Sequence, residues 1–169
     1  MTAREQNEII CTCICRQTEL YGEWARRHGM SYNTMMTLYA LDQRDVDSIP
    51  GVLNAIARDF GGIDVLMNNA GIYPHQNNLD MSREEWDEMQ ESNTRGVYFL
   101  CQAAAKIMKE QKDGGAIINV SSMNAFTPLT KIPAYSGAKA AVTNFTQWMA
   151  VHFSKVGIRV NAIAPGFFA

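Results

Sequence analysis

Tyr135 and Lys139 stand four residues apart in Tyr135-Ser136-Gly137-Ala138-Lys139. Residues at i and i+4 share a helix face, so the spacing predicts Lys139 beneath the Tyr135 ring, where its charge favours the phenolate. A phenol held this way can pass a proton to or from a carbinol near neutral pH. Ser122 comes thirteen residues earlier, at the end of the apolar run Ala116-Ile117-Ile118-Asn119-Val120, with a hydroxyl available to a substrate oxygen. A second apolar run, Ile63-Asp64-Val65-Leu66-Met67, ends directly on Asn68-Asn69-Ala70-Gly71.

Two kinds of segment must position these groups. Over residues 4–28, Ile10, Cys13 or Ile14, Gln17, Leu20 or Tyr21 and Trp24 recur at helical spacing. Gly29 ends that helix and Ser31 caps a second one through Met35, Met36, Leu38 and Tyr39. The composition shifts near Leu41–Val46. Beyond it, Ile49, Val52, Leu53, Ile56 and Phe60 mark an amphipathic helix closed by Gly61-Gly62. A strand through Met67 follows, then a long helical stretch from Ser82 to about Lys112, opened by the capping box Ser82-Arg83-Glu84-Glu85. Gly114-Gly115 breaks it before the strand to Ser121-Ser122. The Tyr135 helix runs to Lys155, Gly157 ends it, and a last strand leads to Pro165. Helices alternating with short apolar strands imply an α/β fold: a partial Rossmann-like parallel sheet with flanking helices, plus an N-terminal helical appendage. The expected domains are a helical segment over 1–44 and a Rossmann-like core over 45–169.

Composition narrows the function. The 169 residues, 47% of them apolar, suit one ordinary domain. A net charge of −2 gives no general attraction to nucleic acid or to an anionic membrane, and no apolar run reaches the length of a bilayer span. The acidic, polar start does not read as a secretory signal, so the expected compartment is cytoplasmic. Cys11, Cys13 and Cys15 would not converge on one metal if helical, and no second pair of ligands accompanies them, so no metal site is expected. Cys101, among apolar neighbours, reads as core.

Asn68-Asn69-Ala70-Gly71, Ser122, Tyr135-Ser136-Gly137-Ala138-Lys139 and Arg159-Val160-Asn161-Ala162-Ile163-Ala164-Pro165-Gly166, in this order, resemble the core of the short-chain dehydrogenase/reductase family. The resemblance covers about residues 47–169. It implies an NAD(P)-dependent oxidoreductase acting on a small-molecule carbonyl or alcohol. Tyr135 would be the general acid/base, Lys139 would lower its pKa and hold the nicotinamide ribose, and Ser122 would bind the substrate oxygen. Ser121 is the rival for that last role; spacing to Tyr135 favours Ser122. Asn93 matches the family Asn whose backbone holds a proton-relay water in a locally irregular helix. Asn68, Asn69, Ala70 and Gly71 would line the adenine-ribose side and pin the central strands. Gly71 would let backbone approach the coenzyme closely, and Pro165 and Gly166 would shape the nicotinamide end. The stretch Ser122–Ala134 is similar to the loop of members that reduce sugar-acid ketones of the fructuronate/mannonate kind. The Tyr135 helix is commonly an oligomer face in the family, which leaves a homo-oligomer open.

The family places a TGxxxGxG turn before its NNAG strand, and none of Gly22, Gly29, Gly51, Gly61 or Gly62 gives that spacing. Tyr21–Tyr32 instead resembles the opening helices of MarR-type transcriptional regulators over about residues 4–43. Nothing later resembles a recognition helix, so no nucleic-acid partner is expected. The chain thus reads as an internal dehydrogenase fragment joined near residue 44 to a foreign start and stopping before the family's C-terminal lid. Negligible turnover is expected of it, with NAD or NADP as the family coenzyme. The competing reading is a non-enzymatic helical dimerisation module or regulator remnant. Deletion of residues 1–44 discriminates, because it abolishes self-association only under that second reading.

Overall fold

The computed structural model describes residues 39–73, 80–127 and 132–167, together with the backbone of 13–15. The regulator-like helices expected over 4–43 therefore lie almost wholly outside the described residues. One correction falls within that span. Cys13–Cys15 is a strand, β1, paired antiparallel with Val65–Met67, where apolar spacing predicted helix. The reason is tertiary: the edge of the next strand presents unpaired N–H and C=O groups, and pairing outweighs a short helical pattern.

The remaining elements follow the alternation read from the sequence. They are α1 (Ile49–Phe60), β2 (Val65–Asn68), α2 (Arg83–Gln90), a π-helical turn (Glu91–Gly96), α3 (Val97–Met108), β3 (Gly115–Val120), α4 (Pro133–Phe153) and β4 (Ile158–Ile163). The sheet order is β1-β2-β3-β4, with β2, β3 and β4 parallel. Register aligns Leu66 with Ile117 and Ile117 with Val160. These three form an apolar row that joins Ile49 and Leu53 of α1, Leu100 and Ala104 of α3 and Val142 and Met149 of α4 in one buried cluster. Two residues further along, the row becomes polar, as Asn68 lies opposite Asn119.

Local chemistry fixes the boundaries. Ser82 accepts from the Glu85 amide at 3.1 Å, and the Glu85 carboxylate accepts from the Ser82 amide at 2.8 Å, closing the predicted capping box. Gly61 ends α1 at φ 78°, a conformation that glycine adopts without cost. The long helical stretch is unbroken from Arg83 to Met108, but its middle turn, Glu91–Gly96, is π-helical. Among the described residues, no helix is long and apolar enough to cross a membrane, and no group of three potential metal ligands occurs.

The packing continues through residue 43. Tyr39, Leu41 and Val46 lie against the core cluster, and Gln43 is buried. Gly96 meets Gln43 so closely that an added Cβ would fall 2.5 Å from the Gln43 carbonyl oxygen.

Candidate active site

The carboxyl ends of β2 and β3 bring the candidate residues together, where ligands bind open α/β sheets. β3 delivers Ser121 and Ser122, and α4 returns along it with Tyr135 and Lys139. Ser121 turns to the helix: its hydroxyl donates to the Lys139 carbonyl at 3.1 Å and lies 2.6 Å from Thr143 Oγ1. Ser122 caps the short turn Met123–Ala125, accepting from the Asn124 amide at 3.2 Å. Its hydroxyl also reaches the Tyr135 side chain. The geometry thus separates the two rivals, leaving Ser122 beside the phenol.

Lys139 is 4% exposed. Its Nζ donates to the Val120 carbonyl at 2.7 Å and lies 5.6 Å from the Tyr135 ring centroid. Burial pushes this ammonium down to about 8. Half-buried Tyr135 packs edge-on against Tyr73, with ring centroids 4.9 Å apart. Burial raises the phenol above its ordinary value, the Ser122 hydrogen bond pulls it back, and Tyr73 raises it further. The net shift is opposite to the lowering expected of Lys139, because desolvation of the phenol prevails. The ammonium sits over the ring, as the spacing predicted, and is hydrogen-bonded to Val120.

Asn93 lies within the π-turn, so the helix is irregular where the resemblance implied it. It is fully buried and its side chain is committed: Oδ1 accepts from the Ile72 amide at 2.8 Å, and Nδ2 donates to the Ile72 carbonyl at 2.7 Å. That clamp sets Gly71 against the site. A Cβ on Gly71 would stand 2.9 Å from Asn93 Oδ1 and 3.7 Å from Lys139 Nζ, so only glycine fits the close approach.

Asn68 is turned inward. Its Nδ2 donates to Asn119 Oδ1 at 2.8 Å, joining β2 to β3, and Asn119 Nδ2 donates to Thr146 Oγ1 at 2.8 Å. It is 3% exposed, whereas Asn69 and Gly71 are exposed and Ala70 is half-buried. The Pro165 carbonyl accepts from the Met123 amide at 2.9 Å, and Gly166 packs near the Met123 sulfur, placing both beside the Ser122 turn. Sequence reasoning missed Gln43, Tyr73, Asn119 and Thr146. Only the position of Asn119 in the run before Ser122 gave any signal.

A test of coenzyme fit divides the molecule. Lys139 has one N–H bonded to Val120 and further donors for ribose hydroxyls, with Gly71 leaving space beside it. This corner fits the nicotinamide-ribose end of NAD or NADP. The pyrophosphate end lacks such a match among the described residues. β1 runs antiparallel to β2, so the chain leaving Cys15 departs at the opposite end of the sheet from Gly71 and Ser122.

A model of the family described as short chain dehydrogenase matches residues 2–169. An uncharacterized oxidoreductase of Haemophilus influenzae is 48% identical over 146 residues, covering 76% of this chain and 51% of that protein. The 2-dehydro-3-deoxy-D-gluconate 5-dehydrogenase of Escherichia coli is 41% identical over 128 residues, with the same two coverages. The structure of ElxO with NADP bound superposes with a TM-score of 0.76 at 32% identity, covering 90% of this chain and 61% of that one. The chain spans about half the length of the curated relatives it matches.

Proposed function

Given that the chain belongs to the short-chain dehydrogenase family, we propose that it carries the proton-transfer centre of an NAD(P)-dependent oxidoreductase acting on the keto or hydroxyl group of a sugar acid. One observation carries the reading: Ser122, Tyr135 and Lys139 converge beside Gly71, with the lysine desolvated. The sugar-acid class is supported by the Escherichia coli relative and by the similarity of the Ser122–Ala134 loop.

When bound, the nicotinamide coenzyme would supply hydride. The chain's own residues do the rest. Tyr135, its pKa raised, is protonated at neutral pH and so is set to donate its phenolic proton to a carbonyl oxygen as that oxygen gains charge. Ser122 donates a hydrogen bond to the same oxygen and stabilises the developing charge. Lys139 holds the ribose hydroxyls and places a cation near the phenolate left behind. Asn93, through Ile72, fixes Gly71 against this corner, and its backbone is the proposed anchor for a relay water. Pro165 and Gly166 shape the nicotinamide end, and Asn69 and Ala70 the adenine-ribose side.

Coenzyme capture, not proton transfer, limits residues 1–169 on this reading, because the sequence carries no glycine-rich turn for the pyrophosphate. Reduction of a keto sugar acid, followed as loss of NADH or NADPH absorbance, tests both parts. The rate should be low, should rise linearly with coenzyme into the millimolar range, and should vanish in Tyr135→Phe. Saturation at micromolar coenzyme would reject the capture argument. A rate indifferent to Tyr135→Phe would reject the assignment of the acid.

A further inference from the structure

The two segments that frame Lys139 on the sheet side, Ala70–Ile72 and the π-turn, meet at a residue outside every motif read from the sequence. Gln43 is 1% exposed. Its amide nitrogen donates to the Ser92 carbonyl at 2.8 Å and to Ser92 Oγ at 3.3 Å, and approaches the Ala70 carbonyl at 3.4 Å. The fit is built from both sides, since Gly96 leaves room for the Gln43 backbone and side chain that any Cβ would fill. A buried amide donor between two backbone carbonyls holds both, and removing it leaves the buried Ser92 carbonyl and the half-buried Ala70 carbonyl without that donor.

We propose that Gln43 is a positioning residue for the Tyr135–Lys139 pair, its buried amide tying Ala70 to Ser92 so that Gly71 keeps its close approach to Asn93 beside Lys139. The consequence follows from adjacency. Ser92 precedes Asn93, whose side chain grips both backbone groups of Ile72. Ala70 precedes Gly71, whose missing Cβ sets the spacing to Asn93 Oδ1 and Lys139 Nζ. Without the Gln43 donor, the π-turn and the Ala70–Ile72 segment separate, and the packing that buries Lys139 loosens. This inference rests on the proton-transfer reading of Tyr135 and Lys139, but its readouts need neither coenzyme nor turnover.

Gln43→Met keeps the volume and removes the donors. In the wild-type chain, pH-dependent competitive labelling of the Lys139 amine should give a midpoint near 8. In Gln43→Met the midpoint should rise by about one unit toward the ordinary lysine value. Amide exchange at Ile72 and Asn93 should accelerate roughly tenfold or more, while Ile117 and Val160 in the sheet change by less than about twofold. Uniform acceleration with an unmoved Lys139 midpoint would show plain packing and overturn the proposal. Gln43→Glu provides the same test if the methionine variant does not fold. Its neutral carboxyl can donate one hydrogen bond, so Ile72 protection should be present in acid and lost on ionisation; protection indifferent to that ionisation would overturn it. A functional reading that failed through Tyr135→Phe would leave both measurements unchanged.

Discussion

Two polar clusters sit a few residues apart along the same strands, and they differ in how far they are closed off from solvent. Asn68, Asn119, Cys101 and Thr146 form an enclosed set between the sheet and its helices: Asn68 Nδ2 donates to Asn119 Oδ1 and the Cys101 sulfur, Thr146 Oγ1 donates to the Val142 carbonyl at 2.6 Å, and Asn68 Oδ1 has no hydrogen-bond partner among the described residues. Cys101 is pushed up to about 12 by burial, which leaves it an inert thiol. The Ser122–Tyr135–Lys139 corner is equally anchored at its base but open at its tips. Lys139 is buried with a carbonyl as its hydrogen-bond partner, and Tyr135 is only half-buried. The enclosed cluster ties β2 to β3 and β3 to α4. The one that reaches solvent through Tyr135, held by the same strands, is open to a ligand.

The largest effect that would sharpen this contrast is on chemistry alone. Tyr135→Phe should lower keto-acid reduction by about 10²- to 10⁴-fold, the usual contribution of a general acid, with little change in unfolding free energy. A comparable loss of stability would erase the distinction between the two clusters.

Lys139 gives the next largest effect, and its sign follows from linkage. Its folded pKa of about 8 lies below the ordinary 10.5, so the unfolded chain binds more protons between those values. Its contribution to stability therefore rises as pH increases from about 8 to about 10.5, by roughly 3 kcal/mol, and the full cost of burying the charge persists below pH 8. Cys101 acts oppositely above pH 9, because its folded pKa is raised. Urea unfolding of wild type and Lys139→Met across this range isolates the lysine, since the difference between the two cancels Cys101. A flat difference would show that Lys139 is not desolvated.

On the enclosed side, Asn119→Ala should cost about 2 kcal/mol, because it leaves the Asn68 amide only the Cys101 sulfur and removes the donor to Thr146. Denaturant titration checks it, and a loss under about 0.5 kcal/mol would mean the network is not structural. Gly71→Ala should cost about 1 kcal/mol through crowding of Asn93 and raise the coenzyme concentration needed for turnover. The smallest effect belongs to the surface. Glu91→Gln removes the exposed i,i+4 pair with Arg95, 3.0 Å apart, and should shift stability by less than about 0.5 kcal/mol.

Where the sequence was legible, the interactions are local. The capping box at Ser82, the αL stop at Gly61, the α/β alternation and the four-residue spacing of Tyr135 and Lys139 each depend on neighbours within one turn. The π-helical turn at Glu91–Gly96 left no mark in the spacing, which reads as one helix from Ser82 to about Lys112; only the family resemblance of Asn93 hinted at it. Cys13–Cys15 went the other way, from helical spacing to strand, because an open sheet edge outweighed it. Gln43 was invisible: a lone glutamine carries no pattern, and its partners Ala70 and Ser92 are 27 and 49 residues away.

From its residues alone this chain fixes which groups can move a proton and which elements carry them, because helix spacing and strand alternation are properties of short stretches. The tertiary structure decided which of those groups stay reactive. Desolvation of Lys139, the turning of Ser121 away from Ser122's side and the close approach at Gly71 arise where distant segments exclude water together, and no local pattern encodes that exclusion.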